Sequence, residues 1–153
     1  MGIEIERKYL VRRLPELDGG VRIVQGYLSF DPTIRVRLQG SEGRLTIKFR
    51  AEGIARREYE YEIPLKDAEE MFGQCMGSLI EKVRYRIGRI ELDVFEGDNE
   101  GLIVAEIELS DEHEQVALPD WLGREVTGLK RYLNVELANR PYKDWTRAER
   151  LDE

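Results

Sequence analysis

Charged side chains at alternate positions near the N-terminus are the first residues here that could do chemistry. Glu4, Glu6 and Lys8 are separated by single residues, so in a β-strand they project from the same face. Two carboxylates can bind a divalent cation, and a neighbouring ammonium group can bind a phosphate oxygen. The alternative is an edge strand whose charged face lies in solvent and opposes aggregation.

The same alternation recurs in later segments, which weakens the edge-strand explanation. Acids fill alternate positions at Glu58, Glu60 and Glu62, and again at Glu106 and Glu108. Bases fill them elsewhere, at Arg35, Arg37, Arg44, Lys48, Arg50, Lys82, Arg84 and Arg86. Because same-sign neighbours on an open sheet face add nothing to stability, the pattern favours a lined interior.

Turn-forming residues divide the chain into strand-like segments. The predicted strands are 2–11, 21–30, 33–39, 44–50, 56–63, 82–88, 89–95 and 102–109. Short connections between several of them favour antiparallel neighbours. In every segment apolar residues occupy the positions between the polar ones, so each strand has one apolar and one polar face.

Apolar residues at helical spacing predict two helices. The first spans 65–79 and includes Cys75, which is expected only to pack. The second carries an apolar stripe and ends before Pro141. A short helix is also expected within 110–118, and a loosely held tail over the last ten residues, Trp145 among them.

Apolar helix stripes must cover an apolar sheet face, which would leave the charged faces of a closed sheet inside. The prediction is an α+β chain, mainly β, built as an eight-stranded antiparallel closed tunnel barrel with a charged interior and helices packed outside. Its single domain spans residues 1–153. Opposed acids and bases in a confined space suit a polyanion that carries metal cations. The structural alternative is a β-sandwich with charged outer faces.

Composition excludes several classes of protein. The net charge of -7 and pI near 5.0 argue against a nucleic-acid-binding protein. A single cysteine gives no intramolecular disulfide, and the chain has neither an apolar run that could span a bilayer nor a signal-peptide segment. We therefore expect a cytoplasmic protein without nucleic-acid or membrane partners. The sequence leaves the oligomeric state open, a dimer included.

Catalysis by a nucleophilic triad is not supported. The only histidine, His113, lies in an acidic run outside the predicted strands, so no Ser-His-Asp or Cys-His set is available. A Gly-rich phosphate loop ending in Gly-Lys-Ser/Thr is also absent.

These residues resemble a known family. Glu4-Ile5-Glu6-Arg7-Lys8 is similar to the ExExK signature of the CYTH superfamily, the triphosphate tunnel metalloenzymes. The later charged rows follow in the family's order, and 121–128 and 131–134 resemble the closing segment of its short bacterial members. The match covers essentially the whole chain.

The resemblance implies a tunnel in which acids hold Mg²⁺ or Mn²⁺ and bases hold a triphosphate. The implied catalytic residues are Glu4, Glu6, Lys8, Glu106 and Glu108. The implied substrate-binding residues are Lys8, Arg35, Arg37, Lys48, Lys82, Arg84 and Arg131. The implied metal-binding acids are Glu4, Glu6, Glu60, Glu62, Asp93, Glu106 and Glu108. Arg50, Arg56 and Arg86 fit equally well as ion-pair partners inside the tunnel.

The implied activity is metal-dependent hydrolysis of triphosphates. Tyr27 is the one aromatic residue that alternation places inside, so inorganic tripolyphosphate, cleaved to diphosphate and phosphate, is preferred over nucleoside triphosphates. Family alternatives are a thiamine triphosphatase and a class IV adenylate cyclase, although only three residues precede Glu4 whereas those cyclases usually begin with a longer segment holding a His-Phe pair. A non-catalytic polyphosphate or nucleotide-binding module would keep the bases and lose the metal acids, which are present here.

Overall fold

The computed structural model describes residues 2–150, and in them the strands form one antiparallel sheet. The strands are β1 (Gly2–Val11), β2 (Val21–Phe30), β3 (Thr33–Gln39), β4 (Glu42–Lys48), β5 (Ala55–Ile63), β6 (Met76–Ile87), β7 (Ile90–Glu96), β8 (Ile103–Glu108) and β9 (Leu122–Glu125). The predicted bounds of the first three strands match these, and β9 is a short strand that the sequence did not predict.

The sheet closes on itself through β1. The strand order is β5-β4-β3-β2-β6-β7-β8-β1-β9, and β1 also pairs with β5. Residues 2–5 of β1 pair with β5 along one edge, and residues 6–10 pair with β8 along the other edge. Where β5 ends, β9 continues along the same edge of β1, with Tyr9 opposite Glu125. The predicted eight-stranded antiparallel closed barrel is confirmed.

Charged residues on the alternating polar faces are buried. Lys82 and Asp93 are 1% and 2% exposed, and Lys8, Arg35 and Arg37 are also buried. Charged side chains are almost never buried to this extent unless they are paired or face an enclosed polar space. The polar faces therefore point into the barrel, as predicted.

The outer apolar faces are covered by one helix and by irregular chain. Helix α1 (Leu65–Phe72) packs on β3 and β4, where Ala68 is fully buried. Leu92 and Ile107, on β7 and β8, pack with Trp121 and the chain around it. Within residues 2–150, no helix has the length and apolar character needed to cross a bilayer.

The helix predicted within 110–118 is wrong, because this stretch forms bends and a turn. Contacts of the Glu114 side chain stabilise this stretch. Its carboxylate accepts hydrogen bonds from the Ser110 N–H and hydroxyl at 2.6 and 3.0 Å, and pairs with Arg89 at 2.6 Å. Side-chain capping of this kind competes with helical backbone hydrogen bonds.

The first predicted helix is too long, since α1 ends at Phe72 and β6 already begins at Met76. Gly77 explains the change of structure. Its φ of +69° suits glycine, and a Cβ there would lie 2.3 Å from the backbone oxygen of Ala138. Cys75 packs over Gly26, and its Sγ also donates to the Met71 carbonyl at 3.5 Å.

The C-terminal segment closes one end of the barrel. In place of one long second helix it forms a 3₁₀ turn (Lys130–Tyr132) and helix α2 (Asn134–Asn139). Leu137 of α2 is fully buried in a cluster with residues from the barrel's interior rows, including Ile80, Phe95 and Val104. The interior rows of β6, β7 and β8 thus change from charged to apolar where they meet this segment.

The expectation of a loose tail is wrong for Trp145. It is 5% exposed, and its ring packs edge-on against Tyr132 and Tyr142 at centroid distances of 5.1 and 5.0 Å. A 3₁₀ turn (Tyr142–Asp144) and helix α3 (Arg147–Arg150) follow α2, and Arg140 pairs with Glu149 at 2.6 Å. The rest of the predicted tail, residues 151–153, lies outside the described residues.

We expect Gly77→Ala to destabilise the protein more than Gly88→Ala. Both glycines have positive φ, +69° for Gly77 and +61° for Gly88. A Cβ added to Gly88 would meet no other atom within 4 Å, whereas a Cβ added to Gly77 would meet the Ala138 carbonyl. The difference in free energy of unfolding should be about 1–3 kcal/mol, the usual cost of overpacking. Urea denaturation of the two variants measures it, and equal losses would contradict the close packing of α2 on β6.

Candidate active site

A cavity of about 320 Å³ occupies the interior of the barrel. Its basic lining residues are Lys8, Arg35, Arg37, Arg44, Lys48, Arg56, Lys82, Arg84 and Arg86. Its acidic lining residues are Glu4, Glu6, Glu58, Glu60, Glu91, Glu106 and Glu108. In the described part of the chain the bases outnumber the acids here, although the protein carries a net charge of -7. The cavity is therefore a local site for an anion.

The three alternating residues of β1 lie in a row along the cavity, each with partners on other strands. Both oxygens of Glu4 accept hydrogen bonds from Lys48 Nζ, at 2.9 and 2.8 Å. Lys8 Nζ lies 3.6 Å from Glu106 Oε1 and donates to the Tyr132 carbonyl at 3.1 Å. Glu6 stands opposite Glu108 in the β1–β8 register. The strand thus connects the acidic and basic parts of the cavity.

Carboxyl groups crowd together beside β1. Burial, together with the charges of Glu106 and Glu4, raises the pKa of Glu6 well above its usual value. Burial opposes ionisation of Glu106 as well, but Lys8, Arg84 and Lys82 hold the pKa of Glu106 well below its usual value. Glu6 and Glu106 are hydrogen-bonded to each other. Such close carboxyl pairs are unfavourable when both are ionised.

A second carboxyl pair lies next to the first. Glu58 and Glu4 are hydrogen-bonded, and burial plus this contact raises the pKa of Glu58 to about 7. Within residues 2–150, no group of three metal-ligating side chains is preassembled. The crowded oxygens are nevertheless the ligands that Mg²⁺ and Mn²⁺ prefer, and a divalent cation would offset their repulsion, so the donor set fits such an ion.

Bases crowd together on the strands opposite. Burial and the neighbouring Arg35 and Arg84 lower the pKa of Arg37 to about 9. Burial lowers the pKa of Lys82 to about 7, against the opposing charge of Asp93. Positive groups held this close favour an anion between them, since an anion stabilises their charged forms.

Asp93 forms ion pairs with two of these bases, Lys82 and Arg84. Its Oδ1 accepts from Arg84 Nε at 2.7 Å, and its Oδ2 accepts from Arg84 Nη2 at 2.9 Å and pairs with Lys82 Nζ at 2.7 Å. It is buried and is not among the residues that line the cavity. Its oxygens serve the bases, so the structure gives it an ion-pair position where a metal-binding one was predicted.

Most residues predicted for the site are brought together. Those that line the cavity are Glu4, Glu6, Lys8, Arg35, Arg37, Lys48, Glu60, Lys82, Arg84, Glu106 and Glu108. Arg56 and Arg86 line it too, whereas Arg50 is exposed and pairs with Asp31 outside. The structure does not bring Glu62 or Arg131 into it. Glu62 is exposed, and Arg131 lies over the rings of Tyr132 and Trp145 at 5.2 and 5.6 Å.

Several lining residues were not predicted as site residues. Glu58 lies two residues before Glu60 on the same strand, so strand alternation already predicts that its side chain lies on the inner face. Tyr27 also lines the cavity, and Gln25 of the same strand borders it through its hydrogen bond with Arg37. Asn134 reaches the cavity from α2, and no periodic signal in the sequence indicates that.

The arrangement is suited to phosphoryl chemistry on a polyanion. Bases from β3, β4 and β6 can neutralise phosphate oxygens, while acids from β1 and β8 can hold a cation beside them. The enclosed volume strengthens both kinds of interaction by limiting water. Phosphoryl transfer demands mainly positioning and charge stabilisation, which this cavity can supply.

Known proteins are similar to this chain in sequence and in fold. The CYTH domain profile matches residues 2–142. An inorganic triphosphatase from Acetivibrio thermocellus is 47% identical over 154 residues, covering 95% of this chain and 99% of the relative. One from Nitrosomonas europaea is 41% identical over 150 residues, covering 88% and 96%. A crystal structure of an inorganic triphosphatase superposes with a TM-score of 0.65 at 36% identity, covering 90% of this chain and 95% of that one.

Proposed function

This chain belongs to the CYTH domain family, and from that premise we propose that it is a metal-dependent triphosphatase that cleaves inorganic tripolyphosphate to diphosphate and phosphate. The observation that carries the proposal is the enclosed cavity in which crowded bases face crowded acids. A non-catalytic anion-binding module would need the bases alone. The relatives named inorganic triphosphatase support the same substrate.

A divalent cation, Mg²⁺ or Mn²⁺, would be held by Glu4, Glu6, Glu106 and Glu108. When bound, it supplies Lewis-acid polarisation of phosphate oxygens and an activated water. Glu60 lies closer to the bases, where it accepts from Arg44 Nη1 at 2.8 Å and Thr46 Oγ1 at 3.0 Å. We therefore assign Glu60 to orienting the basic wall rather than to the cation.

The bases bind and orient the substrate. Arg35, Arg37 and Lys48 would hold phosphate oxygens from one side, and Lys8, Lys82 and Arg84 from the other. These bases are held in place before substrate arrives, so stabilising the charge that develops on the leaving diphosphate costs little reorganisation. The closed end of the barrel excludes bulk water from this region.

An inorganic substrate is favoured over a nucleotide by the cavity's lining. Among the lining side chains of residues 2–150, Tyr27 is the one aromatic residue. It is buried, and burial raises the pKa of its hydroxyl. A nucleobase needs an apolar or aromatic surface to stack on. Charged groups dominate here instead, which suits bare phosphate oxygens.

We expect phosphate release from tripolyphosphate when Mg²⁺ or Mn²⁺ is present and none after chelation, because the activated water depends on the cation that the carboxyl cluster would hold. The assay is run beside ATP, and cyclic AMP is measured in the same samples. Slower release from ATP than from tripolyphosphate supports the proposed substrate. Abundant cyclic AMP, or phosphate release that survives chelation, would contradict the proposal.

A further inference from the structure

We propose that Asn134 is a substrate-binding residue, which donates from its side-chain Nδ2 to a phosphate oxygen and is positioned by Gln25 and Lys82. This inference rests on the proposed function, because it assigns the ligand of the same cavity. Asn134 is the first residue of α2, and its side chain lines the cavity beside Leu133 and Val135. It comes from the segment that closes the barrel, not from a strand.

A chain of hydrogen bonds joins Asn134 to two of the bases. Lys82 Nζ donates to Asn134 Oδ1 at 2.9 Å, and Gln25 Nε2 donates to the same oxygen at 2.9 Å. Arg37 Nε in turn donates to Gln25 Oε1 at 2.8 Å. Gln25 is fully buried and Lys82 nearly so, so these contacts are shielded from solvent.

The direction of this chain is determined at both ends. Lysine and arginine side chains only donate hydrogen bonds. The atom of Asn134 that faces Lys82 must therefore be the oxygen, and the atom of Gln25 that faces Arg37 must also be the oxygen. Neither amide can turn over without placing a donor against a donor.

The remaining polar atom of Asn134 is thereby aimed away from its partners. With Oδ1 held by two donors, Nδ2 is the other end of the amide, and it donates no hydrogen bond to another residue within 2–150. Since the side chain borders the cavity, a phosphate oxygen in the cavity can accept this hydrogen bond. The acceptor would also restore full hydrogen bonding to a half-buried amide.

A purely structural role would not require an amide. A carboxylate of the same shape would accept from Lys82 and Gln25 as well, and more strongly from the ammonium group. What the amide adds is one donor and the absence of negative charge. Both properties matter only to an anion in the cavity, which is why the contact points to the substrate.

The test compares Asn134→Asp with Asn139→Asp, the same substitution at the exposed other end of α2. Tripolyphosphate binding is measured by calorimetry without metal, and KM and kcat are measured with Mg²⁺. We expect N134D to weaken binding and raise KM by about tenfold or more, as loss of a charge-assisted hydrogen bond does. The kcat should change less, and the ligand-free unfolding midpoint should not fall. N139D should bind as the wild type does.

Unchanged binding by N134D would overturn the inference while leaving the proposed function standing. A wild type that binds tripolyphosphate without hydrolysing it, with N134D binding more weakly, would overturn only the proposed function. A wild type that binds no tripolyphosphate would overturn both. Asn134→Ala is measured beside N134D and decides if N134D is unstable, because it removes Nδ2 without adding a charge. Weaker binding by N134A supports the inference, and wild-type binding contradicts it.

Discussion

Replacing Glu6 by Gln should lower the rate of tripolyphosphate hydrolysis by at least about 100-fold, because mutating even the outer partner of a metal ligand typically costs 10–100-fold. Glu6 is the central acid of the row on β1 and is hydrogen-bonded to Glu106. The amide keeps the size and loses the charge that would hold a cation. Phosphate release at saturating Mg²⁺ measures the effect.

The same substitution should leave the ligand-free protein as stable as the wild type, or more stable. Glu6 is buried beside the charges of Glu106 and Glu4, so removing its charge relieves repulsion. Loss of activity without loss of stability is the signature of a residue kept for function. Glu69→Gln, on the exposed face of α1, is the matched control and should change neither quantity. Wild-type rates in E6Q would remove Glu6 from the proposed cation site.

The charged lining could be predicted from sequence because strand alternation is a local property. Glu4, Glu6 and Lys8 needed only a period of two and a strand to be placed on one face. The closed barrel then required a second step, that apolar helices and loops must lie on the opposite faces. Both steps depend on residue types and spacing, not on which distant segments meet.

Features that depend on distant contacts could not be predicted. The helical period of residues 76–79 predicts that α1 extends to Leu79, but the close approach of Ala138 to Gly77 decides the structure there. Trp145 looked like a tail residue among charges, and its burial depends on Tyr132 and Tyr142.

Asp93 shows the same limit inside the site. Alternation placed it on the inner face correctly, but a carboxylate on that face can bind a cation or neutralise a base. The register decides, since Arg84 lies directly opposite Asp93 on β6 and Lys82 is one interior position away. Two cations within hydrogen-bond distance make it an ion-pair residue.

Asp93→Asn should therefore lower the free energy of unfolding by about 3 kcal/mol or more, the usual result of removing one partner from a buried ion pair. The change removes the ion-pair partner of buried Lys82 and leaves Arg84 with Glu91 alone, at 3.3 Å. It also turns an amide donor toward groups that only donate. Urea denaturation with an unchanged m-value would measure the loss. Glu81→Gln is the control, because its pair with Arg22 is about half exposed and should contribute far less.

The loss in D93N should be larger at pH 5 than at pH 8. The pKa of Lys82 is already lowered to about 7 in the folded wild type, so below that value the folded protein carries the ammonium charge that Asp93 neutralises. Without Asp93 the folded pKa falls further, and the unfolded state then binds more protons than the folded state over a wider range. Stability rises with pH in such a range. Above pH 7 Lys82 is mostly neutral in both folded proteins, so the part of the deficit due to its charge disappears and the part due to Arg84 remains. A deficit independent of pH would show that Asp93 acts through Arg84 alone.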